Sequence, residues 1–316
     1  GADILVHSVD DPIDEDFITL MRQNEVTYIP TLQVHGNYIE MLRDSIAFSA
    51  ADFNLSNPIP LASFLDTKRL PTKNDYQKSK QYLPYMTREL LEQEKIRANN
   101  LKQLAAAGIP IATGTDAGNI KTLHASSYYE ELDYMQKAGL TNIEILRAST
   151  KTAAQLLNTN APLGEIKVGN IADLVVLKSN ALKDLAALKD IAYVIKDGQL
   201  FHPDSILIPT SEQLAQQQLN GYNARDIDAF LAPYADDVEI YRFPDELQYT
   251  GKEKMRNNYG NMFAKYPDLY CNLVNRIVQG DTVIDQELVT RGGKQMEAIA
   301  IYKIADGKIK QVYFVY

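Results

Sequence analysis

The sequence predicts an α/β fold over about the first two hundred residues and an α+β fold over the last hundred. The first prediction depends on short apolar runs, typical of strands, that alternate with amphipathic helices. The second depends on helices followed by long strands of alternating polarity, with glycine turns between them. A length of 316 residues suits two domains. We place them at 1–203 and 211–316, with a polar linker at 204–210.

The composition narrows the classes of function. A formal net charge of −9 argues against a nucleic-acid backbone as the main ligand. No apolar run approaches the roughly 20 residues that a membrane-spanning helix needs. Cys271 is the single cysteine, which excludes an internal disulfide and a cysteine-rich metal site. We therefore expect no nucleic-acid partner and no membrane span.

The first domain opens with a strand, a helix and a second strand. Residues 3–8 (DILVHS) form a short apolar strand, and residues 14–25 carry apolar side chains at helical spacing after Asp14, a plausible N-cap. Residues 26–32 (VTYIPTL) are β-branched and aromatic and predict the next strand. Several prolines interrupt residues 36–85, which we interpret as an inserted excursion with some helix that covers a site.

A further alternation of helix and strand follows. Residues 87–108 predict a long amphipathic helix that ends at its last residue, a glycine, and residues 109–116 (IPIATGTD) predict a strand. Helices are expected at 126–138 and 142–157. This order predicts parallel strands joined by helical crossovers.

Two polar side chains stand where these strands end. His7 closes the first strand, and Asp116 closes the strand over 109–116. In folds of this kind, functional groups lie at the carboxyl ends of the strands. Gly114 and Gly118 flank Asp116 and let the chain turn sharply and approach a ligand. The sequence therefore predicts that the His7 imidazole and the Asp116 carboxylate meet at one rim.

The rest of the chain predicts two further sheets. From residue 163, alternating β residues and turn glycines indicate a small flanking sheet with a hairpin over 192–203 that turns at Asp197-Gly198. After the linker, two helices precede a strand over 237–243 and a helix over 251–266. Four long strands complete the chain, with turns at Gly280-Asp281, Gly292-Gly293 and Asp306-Gly307.

Residues 1–200 resemble the C-terminal half of the amidohydrolase superfamily, in its imidazolonepropionase- and prolidase-like branch. The matching segments are GADILVHS, YIPTL, GIPIATGTDAGN, LHASSYYEELDYMQKAGLTNIEILRASTKTAAQLL, LGEIKVGNIADLVVL and VIKDGQL. The resemblance implies the last strands of a (β/α)8, TIM-like barrel with a small flanking β-sheet. It also implies a divalent metal, for which Zn2+ is the first choice, and a small-molecule substrate that is hydrolysed at an amide, cyclic amide or related C–N bond.

The resemblance also implies roles for particular residues. His7 matches a metal ligand at the end of the sixth barrel strand, and Asp116 matches the aspartate of the eighth strand, which binds metal and accepts a proton from the attacking water. Apart from the resemblance, His124 follows Asp116 by eight residues, so we assign it to substrate binding or to orienting a ligand, with an exposed position at a helix N-terminus as the alternative. His35 and His202 are expected to be structural or exposed.

The family's His-x-His pair and its ligands on the fourth and fifth strands would precede Gly1 and are not in this sequence. We therefore expect either a catalytic remnant or a chain that a separate N-terminal half completes. Because three parallel strands expose their edges, a homo-oligomer is also expected.

Residues 211–316 resemble the SnoaL-like, or NTF2-like, superfamily through GYNARDIDAFLAPYADDVEIYRF. The resemblance implies a cone-shaped α+β domain whose candidate pocket we place at Tyr222, Tyr241 and Arg242. The catalytic positions of the superfamily's ketosteroid isomerases fall near Gln218, Ala300 and Arg242, which disfavours isomerase chemistry, and Cys271 is assigned to core packing. The alternative to a hydrolase is therefore a non-catalytic module that binds a small ligand or mediates dimerisation.

Overall fold

The computed structural model describes residues 2–43, 46–69, 75–157 and 161–316. The chain forms two compact units, each of which is discontinuous in sequence. Unit 1 comprises Gly1–Ala47 and Arg69–Leu207, and unit 2 comprises Phe48–Lys68 and Ile208–Tyr316. Part of the excursion predicted at 36–85 therefore belongs to unit 2.

The described residues form helices and strands throughout both units. The helices are α1 (Glu15–Gln23), α2 (Gln33–Leu42), α3 (Ala50–Leu55), α4 (Pro58–Leu65), α5 (Asp75–Ser79), α6 (Leu83–Ala106), α7 (Ser126–Lys137), α8 (Asn142–Arg147), α9 (Ala153–Leu156), α10 (Ser211–Ala224), α11 (Ile227–Leu231) and α12 (Lys252–Lys265). The strands are β1 (Ile4–Val6), β2 (Thr27–Ile29), β3 (Leu174–Leu177), β4 (Ile191–Lys196), β5 (Gln199–Phe201), β6 (Tyr234–Arg242), β7 (Glu246–Thr250), β8 (Tyr270–Gln279), β9 (Thr282–Arg291), β10 (Lys294–Ala305) and β11 (Lys308–Val315). Within these ranges, no helix combines the length and apolar character needed to cross a bilayer.

Parallel pairing organises the strands of unit 1. β1 pairs in parallel with β2, and Tyr28 in β2 forms a parallel bridge with Ile111. Two backbone hydrogen bonds hold this bridge, from Tyr28 N to Pro110 O at 2.9 Å and from Ala112 N to Tyr28 O at 3.0 Å. The strand predicted over 109–116 is therefore limited to a bridge, but its parallel direction agrees with the prediction.

Helices pack against this parallel layer and bury its apolar side chains. Asp14 is the N-cap of α1, as predicted, since its side chain accepts a hydrogen bond from Phe17 N at 2.8 Å. Ile18 and Met21, three residues apart, are the buried face of this helix. They join a core with side chains of α6 and α7, among them Leu101, Leu104, Leu132 and Met135.

An antiparallel sheet of β3, β4 and β5 completes unit 1. The hairpin between β4 and β5 turns at Asp197 and Gly198, where φ is 51° and 76°. Positive φ at both central positions is the geometry of a type I′ turn, which matches the twist of the two strands. The hairpin predicted from the Asp-Gly pair is confirmed.

Unit 2 is built on a six-stranded sheet in the order β7-β6-β11-β10-β9-β8. β8 to β11 form the predicted antiparallel meander, whereas β6 pairs in parallel with β11. β7 was not predicted. Alternate residues of β9 and β10 are buried on one face, and this face includes Val283, Asp285, Ala300 and Tyr302.

The segment 48–68 supplies two helices to the helical layer of unit 2. In this layer, Gln217 of α10 donates its side-chain Nε2 to Phe53 O at 3.0 Å. Asn220, one turn further along α10, donates Nδ2 to Pro58 O at 2.7 Å. Both contacts connect residues more than 160 positions apart in sequence.

Gly221 provides a test of how tightly this layer packs. A Cβ atom at this helical position would lie 2.2 Å from Phe230 N and 2.5 Å from Phe230 Cα. Because backbone atoms cannot move aside as a flexible side chain can, Gly221→Ala should destabilise unit 2 by at least about 3 kcal/mol in urea denaturation. The matched control is Gly260→Ala in α12, where no atom lies within 4 Å of the added Cβ. It should be neutral or stabilise by up to about 1 kcal/mol, and equal stability of the two variants would contradict the packing described.

Candidate functional site

Three residues that follow the parallel-paired segments of unit 1 have left-handed backbone conformations. The φ angles are 76° at His7, 47° at Thr31 and 55° at Asp116. Positive φ is uncommon outside glycine, and for a β-branched residue such as threonine it is a genuine outlier. Such conformations cost on the order of 1–3 kcal/mol each and concentrate at functional sites. We define these three residues as the rim of unit 1.

The imidazole of His7 is oriented by Thr31. The His7 backbone N donates to Ile29 O at 2.9 Å, and the ring Nδ1 lies 3.2 Å from Thr31 Oγ1. This contact occupies one ring nitrogen and leaves Nε2 as the nitrogen for a ligand. His7 is exposed, so this nitrogen is accessible from solvent.

The carboxylate of Asp116 lies in a turn that a small hydrogen-bond network shapes. Its Oδ2 accepts from Asn119 Nδ2 at 3.1 Å, and Asn119 Oδ1 accepts from the Tyr38 hydroxyl at 2.6 Å. The glycine at 114 is required by close approach, because a Cβ there would lie 2.5 Å from Ile29 Cγ2. Asp116 itself is exposed.

His35, expected to be structural or exposed, lies within electrostatic reach of the rim. Burial lowers its pKa most, and the positive charge of Arg97 lowers it further. The carboxylates of Asp10 and Asp116 raise it, and His7 lowers it. The charges of both predicted residues, His7 and Asp116, therefore act on the pKa of a second imidazole.

The position of His35 in the sequence could have marked it as a candidate site residue. The residue lies in the first turn of α2, only four positions after Thr31. Because β2 is one of the parallel strands, this junction belongs to the same edge as the ends of the other strands.

A cavity of about 380 Å³ lies beside His35 in unit 1, among α2, α6 and α7. Arg97, which is 2% exposed, lines this cavity together with His35. Its Nε donates to Asp10 Oδ1 at 2.6 Å and its Nη2 to Gln93 Oε1 at 3.0 Å. Its buried Nη1 has no hydrogen-bond partner in the described part of the chain. The site therefore offers a guanidinium donor next to the imidazole.

Glu131 anchors the chain directly after the rim. Its two carboxylate oxygens accept from the backbone N atoms of Leu32 and Gln33, at 3.0 and 3.1 Å. A carboxylate at a helix N-terminus satisfies orphan N–H groups and complements the helix dipole. Burial nevertheless raises the pKa of Glu131 from 4.5 to about 7. The fixed position of Thr31 and His35 thus depends on a fully buried acid.

His124 lies near the turn that contains Asp116. A Cβ added at Gly118 would lie 4.0 Å from His124 Nε2. His124 is exposed and precedes Ala125, which also has a positive φ of 71°. Over the described ranges, however, no three His, Cys, Asp or Glu side chains are placed to hold one metal ion.

The predicted pocket residues of unit 2 fall into two cavities. Tyr222 lines a cavity of about 230 Å³ in unit 2, which we call the inner cavity. Tyr241 and Arg242 instead line a more open cavity of about 560 Å³. The Tyr241 ring stacks on Tyr313, with 4.7 Å between centroids, and its hydroxyl donates to Glu239 Oε2 at 2.8 Å.

A chain of buried polar groups enters the inner cavity of unit 2. The Tyr234 hydroxyl donates to Gln218 Oε1 at 3.2 Å, and Gln218 Nε2 donates to the Tyr302 oxygen at 2.9 Å. The Tyr302 hydroxyl then donates to Glu287 Oε1 at 3.2 Å. All four side chains line the inner cavity.

Our sequence reasoning missed Glu287 and Tyr302. It tested Gln218 and Ala300 against isomerase positions, but Tyr302 lies two residues after Ala300 and faces the same side of β10. A signal was present in β9, where Asp285 and Glu287 occupy alternate positions on the same face as the apolar Val283 and Val289.

The fold and the rim define an α/β protein with an imidazole and a carboxylate in the segments that follow its parallel-paired strands. The chain belongs to the amidohydrolase family, whose profile matches residues 17–201. A SnoaL-like domain profile matches residues 215–312. The predicted fold class, an amidohydrolase-like α/β part followed by an α+β domain of the SnoaL-like and NTF2-like type, is confirmed.

Several solved structures are similar to part of the chain. A Xaa-Pro dipeptidase with bound methionine in the active site is 25% identical, with a TM-score of 0.43, over 64% of this chain and 40% of that chain. This chain therefore spans well under half of that dipeptidase.

An uncharacterised cystatin-fold protein from Novosphingobium aromaticivorans is 23% identical, with a TM-score of 0.33, over 34% of this chain and 99% of that chain. An NTF2-like protein of unknown function from Cytophaga hutchinsonii is 16% identical, with a TM-score of 0.30, over 33% of this chain and 88% of that chain. Among curated proteins, no match was found.

Glu131 makes the stability of unit 1 depend on pH. Because its folded-state pKa, about 7, lies above its usual value of 4.5, the folded protein holds a proton that the unfolded chain has lost between these values. The free energy of unfolding of unit 1 should therefore fall by about 3 kcal/mol in total as the pH rises from 4.5 to about 7. Glu131→Gln should remove this fall in thermal unfolding of unit 1. The control Asp133→Asn changes an exposed carboxyl of the same helix, and a Glu131→Gln profile identical to that of this control would refute the assignment.

Proposed function

We propose that unit 1 is part of a metal-dependent hydrolase that acts on amide, cyclic amide or related C–N bonds. Membership in the amidohydrolase family supports this class of activity. The observation that carries the proposal is the rim, where His7 follows β1 and Asp116 follows the bridge at Ile111, both in left-handed conformations. Zn2+ is the metal we propose, because imidazole and carboxylate are among its usual ligands.

The side chains of His7 and Asp116 are of types that bind metal ions, but two ligands are fewer than a catalytic site needs. In our proposal, His7 Nε2 and the Asp116 carboxylate hold the ion, and Thr31 orients the imidazole through Nδ1. A catalytic zinc site needs three protein ligands and an open position for water, whose pKa the metal lowers to about 7. The further ligands must come from polypeptide outside the described residues. The rim is therefore a partial ligand set, and we assign no reaction step to it alone.

Zinc binding by the chain tests the proposal. Isothermal titration should show one weak site, because two protein ligands hold the ion less firmly than three. His7→Ala and Asp116→Asn should each weaken the site by at least about tenfold. His202→Ala is the control, since His202 is an exposed histidine of the same unit. Binding that survives both rim substitutions, or that is lost with His202, would overturn the proposal.

We also propose that unit 2 binds a small ligand in its inner cavity. The observation that favours this second function is the hydrogen-bonded chain that ends on Glu287 inside a cavity of about 230 Å³. Ligand pockets combine mostly apolar walls with a few placed polar groups, and this cavity has that composition. This function is separate from the rim, because every residue that carries it belongs to unit 2.

A further inference from the structure

Glu287 is a buried carboxyl whose neighbouring cation is already paired. The residue is 7% exposed and lines the inner cavity of unit 2. The neighbouring Arg276 binds both oxygens of Asp285, each at 2.7 Å, and donates Nη1 to Gln216 Oε1 at 2.9 Å. Asp285 pairs with that guanidinium, and it raises the pKa of Glu287 more than Arg276 lowers it.

The surrounding donors are directed at the ionised form of Glu287. Gln218 donates to the Tyr302 oxygen, so the Tyr302 hydrogen is free to point at Glu287 Oε1. The Cys271 thiol also forms a hydrogen bond with this carboxyl. Two donors leave part of the acceptor capacity of a carboxylate, about four lone-pair sites, unused. A ligand can therefore still donate hydrogen bonds to Glu287.

Aromatic rings form much of the wall around this carboxyl. Phe230 and Tyr259 lie 4.5 Å apart between ring centroids, and Tyr222 lies 6.0 Å from Phe230. These three rings line the same cavity as Glu287. The faces of such rings attract organic cations, most strongly when the cation is desolvated.

We propose that the inner cavity of unit 2 binds a small organic ammonium ion. The ammonium group donates to Glu287, and the aromatic rings surround the cation and its apolar body. This inference deepens the ligand-binding function proposed for unit 2 by naming the chemical class of the ligand. It is independent of the metal-dependent activity proposed for unit 1.

The ionisation of Glu287 gives the proposal a pH signature. Burial and the adjacent Asp285 raise the pKa of Glu287 to about 7. The titratable and charged groups that face it are Cys271 and Arg276 on β8, Asp285 on β9, Tyr302 on β10, Tyr222 on α10, Tyr234 on β6 and Tyr316 after β11.

An alkylammonium ion, like lysine, stays protonated well above neutral pH. It binds the ionised carboxylate, so its affinity should rise from about pH 6 to about pH 8. A neutral hydrogen-bond acceptor would bind the protonated acid, and its affinity would fall over the same range.

Arg291 is the other charged residue that lines the inner cavity. It is exposed, and its guanidinium carbon lies 5.7 Å from the ring centroid of Tyr266. An anionic ligand would use this residue instead of Glu287. The two cases make opposite predictions about the charge of the preferred ligand.

Three probes of matched size test the inference by isothermal titration at about pH 8. The probes are 2-phenylethylamine, which is a cation, 2-phenylethanol, which is neutral, and phenylacetate, which is an anion. The amine should bind at least about tenfold more tightly than the other two. Glu287→Gln should weaken amine binding by at least about tenfold and leave alcohol binding within about twofold. The control Glu297→Gln makes the same change at an exposed position of β10 and should alter neither.

The outcomes separate this inference from the function on which it rests. If the alcohol binds as tightly as the amine, unit 2 is a ligand-binding domain, but the ammonium inference is wrong. Preference for phenylacetate overturns it too and points to Arg291. If no probe binds, the ligand-binding function and the inference both fail. Should Glu287→Gln not fold, the wild-type protein decides, because amine affinity that does not rise with pH contradicts the inference.

Discussion

Parallel pairing of β1, β2 and the bridge at Ile111 is the constraint on which the rim depends. It brings three chain segments, distant in sequence, to one edge, where each leaves its strand. The left-handed conformations at His7, Thr31 and Asp116 would be unfavourable in a free chain. They persist because the core beneath the strands and the hydrogen bonds around them determine the path of the backbone.

The two units each bury a carboxyl whose pKa is raised to about 7, yet the two carboxyls have different roles. Both oxygens of Glu131 accept backbone hydrogen bonds, so this acid is fully used in holding α2. Glu287 accepts from a hydroxyl and a thiol and borders a cavity. Both carboxyls are buried, but their hydrogen-bond partners differ. Glu131 is therefore a structural acid, whereas Glu287 is a candidate for ligand binding.

Local signals predicted most of the fold. The Asp14 cap, the Asp197-Gly198 turn and the meander of β8 to β11 all follow from residues close in sequence. The sequence did not predict that residues 48–68 pack on α10, because that contact joins distant segments. His7 and Asp116 could be selected because they follow strands. The alternation of β9 marks Glu287 as an inward residue, but its role could not be predicted, since that role depends on Tyr302 and Cys271 on neighbouring strands, and pairing register is not visible in a single sequence.

The central claim is that an imidazole and a carboxylate at the end of parallel strands bind a metal ion together. Because the chain has four histidines, their ring signals can be resolved individually in a 1H–13C NMR spectrum. Zinc added stepwise to the chain should shift the ring signals of His7 first and leave those of His202 in place, and Asp116→Asn should abolish the His7 shift. If the His7 signals do not move, or move equally in the Asp116→Asn variant, the two side chains do not form a metal site and the account of the rim is wrong.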